Sequence, residues 1–122
     1  MFRSLSVALA AGLTVVGLAA CSSEPTALVT IDDDTIIIDA RSPAEADSVG
    51  YLENSRLLDF NSGEVEAEIS QLDPDAEYMV YCRSGNRSAQ TVALLEENGF
   101  DNVTDLGSME EASQATGLSI IR

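Results

Sequence analysis

Short apolar runs alternate with stretches of helical periodicity along this chain, after an N-terminal segment of a different kind. The runs lie near 27–31, 35–39, 56–60, 78–82 and 102–105 and predict strands. Ile36-Ile37-Ile38-Asp39 and Tyr78-Met79-Val80-Tyr81-Cys82 lack the apolar–polar alternation of a half-exposed strand, as expected of central strands covered on both faces by helices. Ser42-Pro43-Ala44-Glu45 has the form of a capping box with proline at the first helical position, so a helix begins there. Val65, Ile69 and Leu72 give a second helix an apolar stripe; Asn61 or Ser62 is its expected cap, and Asp73-Pro74-Asp75 ends it. A third helix is expected from Ser88 to Asn98, stopped by Gly99 and packed through Ala89, Val92, Ala93 and Leu94 or Leu95. Asp32-Asp33-Asp34 predicts a hairpin turn between the first two strands, because it lacks the alternating ligand spacing of a calcium loop. The order is α/β: an open, mostly parallel sheet of about five strands flanked by helices.

The N-terminal segment changes the picture of where the protein works. Arg3 precedes an uncharged apolar run from Leu5 to Ala20, shorter than the roughly 20 residues of a spanning helix and interrupted by Gly12 and Gly17. Such a segment is expected to be a signal peptide. It ends in Leu18-Ala19-Ala20-Cys21, which resembles a bacterial lipobox. That resemblance implies an exported protein of the cell envelope, lipid-anchored to the membrane through Cys21. The other reading of Cys21 is an ordinary thiol able to pair with Cys82 in an oxidising compartment. The expected organisation is a signal peptide over 1–20, a lipidated cysteine and polar tether over 21–26, and one domain over 27–122. About a hundred residues support one core, not two.

Charge and missing residue types narrow the chemistry. With 21 acidic residues against 6 arginines and no lysine, the formal charge is −15, which argues against nucleic acid and anionic headgroups as partners. Any membrane link is therefore expected to be covalent. Histidine is absent, which removes Cys–His dyads, Ser-His-Asp triads and histidine metal sites. Two cysteines are too few for a thiolate metal centre, so neither metal nor cofactor is expected.

The candidate chemistry lies in Tyr81-Cys82-Arg83-Ser84-Gly85-Asn86-Arg87-Ser88, where a lone cysteine ends a predicted strand and a short polar loop leads into a helix. Successive amides in that loop, with Gly85 and Asn86 tolerant of positive φ, form an anion-holding nest reinforced by the positive end of the helix. Arg83 and Arg87 add fixed charge of the kind that lowers a thiol pKa, where a structural cysteine would have no use for them.

The run Cys82–Ser88 resembles the active-site loop of single-domain rhodaneses, sulfurtransferases that carry sulfur as a cysteine persulfide. Ile36 to Glu45 is similar to that family's first signature, an apolar strand ending in Asp-x-Arg before a Ser/Thr-Pro-x-Glu helix start. Asn98 to Val103 and Leu106 to Met109 are similar to its closing segment. The resemblance spans about residues 35–118 and implies a rhodanese-like fold. It also implies transfer of sulfane sulfur from thiosulfate or a persulfide donor, a small anion, to a thiol or other nucleophilic acceptor. Cys82 would be the nucleophile, with Arg83, Ser84, Gly85, Asn86, Arg87 and Ser88 binding substrate. Arg87 is expected to close the loop and hold the oxyanion end of the donor. Arg83 either steers anions from the rim, recognises an acceptor or faces solvent. Ser88 is expected to cap the helix rather than touch sulfur. Asp39 and Arg41 are expected to be structural ions, paired with each other or with Glu45. Tyr51 to Ser55 and Ala112 depart from the family pattern.

Two other classes share these features. Dual-specificity-type phosphatases and arsenate reductases also place a cysteine on an arginine-closed loop, but with five residues between them where Cys82 and Arg87 have four. A non-turnover sulfur carrier or partner-binding module would show the same sequence. Composition does not set the oligomeric state.

Overall fold

The computed structural model describes residues 29–122. The elements are β1 (Ile36–Asp39), α1 (Pro43–Val49), β2 (Tyr51–Leu52), β3 (Ser55–Leu57), α2 (Glu64–Glu68) with a 3-10 turn at Ile69–Gln71, β4 (Tyr78–Cys82), α3 (Asn86–Glu97), β5 (Val103–Ser108), α4 (Met109–Thr116) and β6 (Ile120–Ile121). Four strands form one sheet in the order β3-β1-β4-β5, every neighbouring pair parallel. Their carboxyl ends therefore share one edge, where open α/β sheets place ligands. The expected α/β architecture is present, with four strands in this sheet.

The two central strands divide the core. Ile38, Tyr78, Val80 and Cys82 join a cluster with Val65 of α2 and Leu95 of α3, while Ile37, Met79 and Tyr81 join Leu106, Met109 and Ala112 on the opposite face. All of β4 is buried, which accounts for its unbroken apolar run.

Several expectations are corrected. No strand forms at Val29, Thr30 or Ile31; residues 27 and 28 lie outside the described residues. The Val29 amide instead donates to the Ala115 carbonyl at 3.2 Å, and Val29 and Ile31 pack against the second cluster. Asp32–Asp34 does turn the chain, with Asp32 Oδ1 accepting from the Asp34 amide at 2.8 Å, but it joins no hairpin. A separate antiparallel ribbon, β2 with β6, was not predicted. These strands are two residues each, too short to carry a periodic signal.

The capping box at Ser42 is formed, with Pro43 opening α1. Helix α2, however, is capped by Gly63 in the left-handed region at φ 84° and not by Asn61 or Ser62. Asp59 engages both expected caps: its carboxylate accepts from the Asn61 amide at 3.0 Å and its carbonyl from the Ser62 hydroxyl at 3.3 Å. In α3 the packed side is Ser88, Thr91 and Leu95, flanked by partly buried Val92 and Leu94, and both Ala89 and Ala93 are exposed. Burial of Thr91 is tolerated because its hydroxyl donates to the Arg87 carbonyl at 2.8 Å.

Asp39 and Arg41 are the expected buried ion pair, each 1 % exposed. Arg41 binds Asp39 through Nε at 2.9 Å and Nη2 at 2.7 Å, and Nη2 also reaches the Gly50 carbonyl at 2.7 Å. Tyr81 donates its hydroxyl to Asp39 Oδ2 at 3.0 Å and accepts from the Leu52 amide. The network ties the ends of β1 and β4 to the start of β2.

Candidate active site

Strand β4 delivers Cys82 to the carboxyl edge of the sheet, between β1 and β5. Gly85 then adopts φ 94°, a conformation open to glycine, and becomes the N-cap of α3. The turn aims its amide back at the sulfur, with Gly85 N 3.0 Å from Cys82 Sγ. A glycine has no capping side chain, so the first-turn amides of this twelve-residue helix stay available to an anion. Gly85 also abuts Gly107, where a Cβ built on Gly85 would lie 3.5 Å from the Gly107 Cα.

Ser88 has a different place from the one its sequence suggested. It lies at the third helical position, fully buried, and its Oγ is 3.5 Å from Cys82 Sγ while it donates to the Gly85 carbonyl at 3.0 Å. The contact with sulfur, not a helix cap, is what the structure shows. A hydroxyl rotates, so the same group can present its proton to the sulfur once the thiol ionises.

Cys82 is a free thiol, 0 % exposed, and belongs to the apolar cluster below the sheet edge as well as to the loop above it. Burial pushes its pKa up. The Ser88 hydroxyl and the amides of Ser88, Gly85 and Ser84 oppose this and win, leaving the thiol below its ordinary value. The sulfur lies beneath the loop rather than at an open mouth. Ser88→Ala is expected to raise the thiol pKa; following thiolate ultraviolet absorbance against pH measures it, and an unchanged midpoint would exclude Ser88 from stabilising the anion.

The two arginines separate. Arg87 Nη1 and Nη2 bind both oxygens of Glu45 at 2.6 and 2.8 Å, so its guanidinium grips α1. Arg87 thereby fixes the first turn of α3 from outside. Arg83 is exposed and, among the described residues, has no ion-pair partner. Ser84 is exposed, and the Asn86 side chain accepts from Gln90 Nε2 at 3.1 Å while its backbone is helical.

Glu45 thus serves two elements. It accepts from the Ser42 amide and hydroxyl in the capping box and binds Arg87 forty-two positions along the chain. The Arg87 guanidinium, helped by Ser42, holds its carboxyl at about 2 against the usual 4.5. A carboxylate depressed on folding stabilises the fold above its unfolded value, and that contribution is lost as pH falls from about 4.5 toward about 2. Glu45→Gln is expected to cost on the order of 1 kcal/mol at neutral pH, the scale of a partly shielded pair. Urea midpoints should also flatten across that acidic window, and a variant with the same acid limb as the parent would contradict this.

An amide-ringed thiol with a lowered pKa, placed at the carboxyl edge of a parallel α/β sheet, defines a cysteine-centred anion-loop protein. The family model for the rhodanese-like domain matches residues 26–115. A sulfurtransferase of Allochromatium vinosum is 30% identical over 89 residues, covering 73% of this chain and 80% of that protein. A tRNA sulfurtransferase of Actinobacillus succinogenes is 34% identical over 74 residues, 60% of this chain; the chain spans only 15% of that protein's length. The solved rhodanese with anions from E. coli superposes with a TM-score of 0.61 at 21% identity, covering 72% of this chain and 98% of that one. This chain belongs to the rhodanese-like family.

Proposed function

We propose that the protein is a sulfurtransferase that carries sulfane sulfur on Cys82. The observation that carries this reading is the ring of donors around Sγ: the Gly85 amide at 3.0 Å, the Ser88 hydroxyl at 3.5 Å and the open first turn of α3. In the first half-reaction the Cys82 thiolate attacks the outer sulfur of a donor such as thiosulfate. The Sγ–S bond forms, the donor's S–S bond breaks, and sulfite leaves with its electron pair. In the second, an acceptor nucleophile attacks the terminal sulfur and Cys82 departs as thiolate. Negative charge stays within the amide ring in both steps, so one electrostatic arrangement serves both. The sulfurtransferase names of the relatives support this activity.

Because Cys82 is covered, the exposed segment Arg83–Ser84 is the part of the loop that must yield to admit a donor. Arg83 then offers a cation at the entrance to a molecule whose net charge is −15. The phosphatase reading is less well supported. Four residues between Cys82 and Arg87 make a smaller ring, and the Arg87 guanidinium is already gripped by Glu45.

Intact mass after incubation with thiosulfate tests the reading. A gain of one sulfur on Cys82 is expected; no adduct would point to a binding module, and faster phosphate-ester hydrolysis would select a phosphatase.

Export completes the proposal. The apolar run and Leu18-Ala19-Ala20-Cys21, which lie outside the described residues, support a signal peptide over 1–20, acylation of Cys21, a tether to residue 26 and a domain over 27–122. Among the described residues no helix is long and apolar enough to cross a membrane. Cys21→Ser is expected to move the protein from the membrane pellet to the soluble fraction. Retention in the pellet would exclude a lipid anchor at this residue.

A further inference from the structure

Among the described residues, the large apolar side chains most open to solvent are Val49 at 50 %, Tyr51 at 42 % and Ile121 at 38 %. They come from three places in the sequence, the end of α1, β2 and β6, yet all line one recess of about 540 Å³ together with Met109, Asp47 and Glu110. The antiparallel pairing of β2 with β6 sets Tyr51 opposite Ile121 and so assembles the patch. A gathered apolar surface is unusual on a protein with so much charge, and such patches mark binding sites.

The recess shares residues with a second one that reaches the Cys82 loop at Arg83. Ser48 and Val49 also line a second recess, of about 270 Å³, with Arg83, the residue after the nucleophile. At the opposite margin Met109 follows Ser108, which pairs with Cys82 across β4 and β5. A molecule lying on the patch therefore ends beside the loop. A small inorganic anion has no use for an apolar floor of this size, whereas an exposed tyrosine flanked by aliphatic side chains suits a polypeptide.

Charge decides what kind of polypeptide. Asp47 and Glu110 are exposed and, among the described residues, take part in no ion pair; Arg122 is the one cation at this recess. The surrounding field of −15 repels acidic partners and anionic surfaces and draws in cationic ones.

We infer that the Val49–Tyr51–Ile121 surface docks the sulfur acceptor, and that this acceptor is a basic polypeptide segment presenting a cysteine flanked by apolar side chains. The inference rests on the proposed sulfurtransferase reading. The acceptor thiolate attacks the terminal sulfur of the Cys82 persulfide, the bond from that sulfur to Sγ breaks, and its electron pair stays on Cys82. The acceptor leaves as a persulfide, and no external oxidant or reductant takes part.

The test compares three acceptors with the full chain: cyanide, a short peptide whose cysteine is flanked by leucine, phenylalanine and lysine, and a counterpart flanked by serine and glutamate. The apolar basic peptide is expected to show kcat/KM about tenfold above the acidic one. Val49→Ser and Ile121→Ser should each remove most of that advantage while leaving the cyanide rate within about twofold, which also shows that the variants are folded. No preference between the peptides, or a parallel loss with cyanide, overturns the inference. Binding of a labelled version with serine in place of cysteine gives a readout that needs no turnover. If that peptide binds and Ile121→Ser weakens it while thiosulfate leaves no sulfur on Cys82, the transfer reading fails and the docking surface stands. If sulfur loads but the peptide does not bind, the surface is wrong. Protection of the patch by phosphatidylglycerol vesicles instead of peptide, or self-association lost in Ile121→Ser, overturns it in favour of a membrane or a second copy.

Discussion

Replacing Cys82 by serine is expected to reduce thiosulfate-to-cyanide sulfur transfer on the order of 10³-fold or more, the scale at which loss of a nucleophile is felt. Position and electrostatics would be nearly unchanged, since Gly85 N and Ser88 Oγ would still surround the substituted atom. The chemistry would not survive. An aliphatic hydroxyl keeps its proton at neutral pH, and this chain has no histidine to remove it. The amides that hold the thiol below its ordinary pKa cannot bring an alcohol into range. Steady-state assays of parent and variant, with intact mass after thiosulfate, give the answer together. Turnover within tenfold of the parent, or a sulfur adduct on the serine variant, would sink the assignment of Cys82.

The largest loss of stability is expected from Arg41→Ala, at about 3–5 kcal/mol, because it strands a buried carboxylate. Asp39 is 1 % exposed and receives two hydrogen bonds from the Arg41 side chain. After truncation its charge would keep only the Tyr81 hydroxyl, the backbone amide of residue 41 and whatever water enters the space. The Gly50 carbonyl would lose its guanidinium donor as well, loosening the turn that leads into β2. An apolar replacement of both ions, Asp39→Leu with Arg41→Leu, is expected to recover much of the loss, since it removes the stranded charge. Urea denaturation measures both variants. A cost below about 1 kcal/mol for Arg41→Ala would mean that the site is wetter than its burial indicates. Neither ion is hydrogen-bonded to the sulfur, so activity is expected to fall with the folded fraction and not beyond it.

The parts of this protein legible in its sequence are those decided within a turn or two of chain. Ser42, Pro43 and Glu45 announce a capped helix because the cap bonds span three residues, and they form. The unbroken apolar run of β4 announces a strand buried on both faces, and every one of its residues is buried. The cysteine, the glycine three positions on and the helix behind it define an anion loop locally, and Gly85 does turn its amide to the sulfur. Where local signals were weak or shared, the expectations missed. Ala89 and Ala93 are apolar by type but face solvent, while Ser88 and Thr91 take the buried side beside β4 because each finds a hydrogen-bond partner there. Val29 to Ile31 belong to a run with strand character, but among the described residues they pair with no strand.

The sequence alone thus determined the class of fold and the cysteine-bearing loop that leads into α3, because hydrophobic periodicity, glycine conformation and capping act between near neighbours. Only the tertiary structure decided that Arg87 grips Glu45, that Tyr81 braces Asp39, and that Val49, Tyr51 and Ile121 meet in one recess. Those pairings join residues more than forty positions apart or lying on three separate elements. Partner choice at such separations is settled by how the sheet and helices pack, which no short window of residues contains.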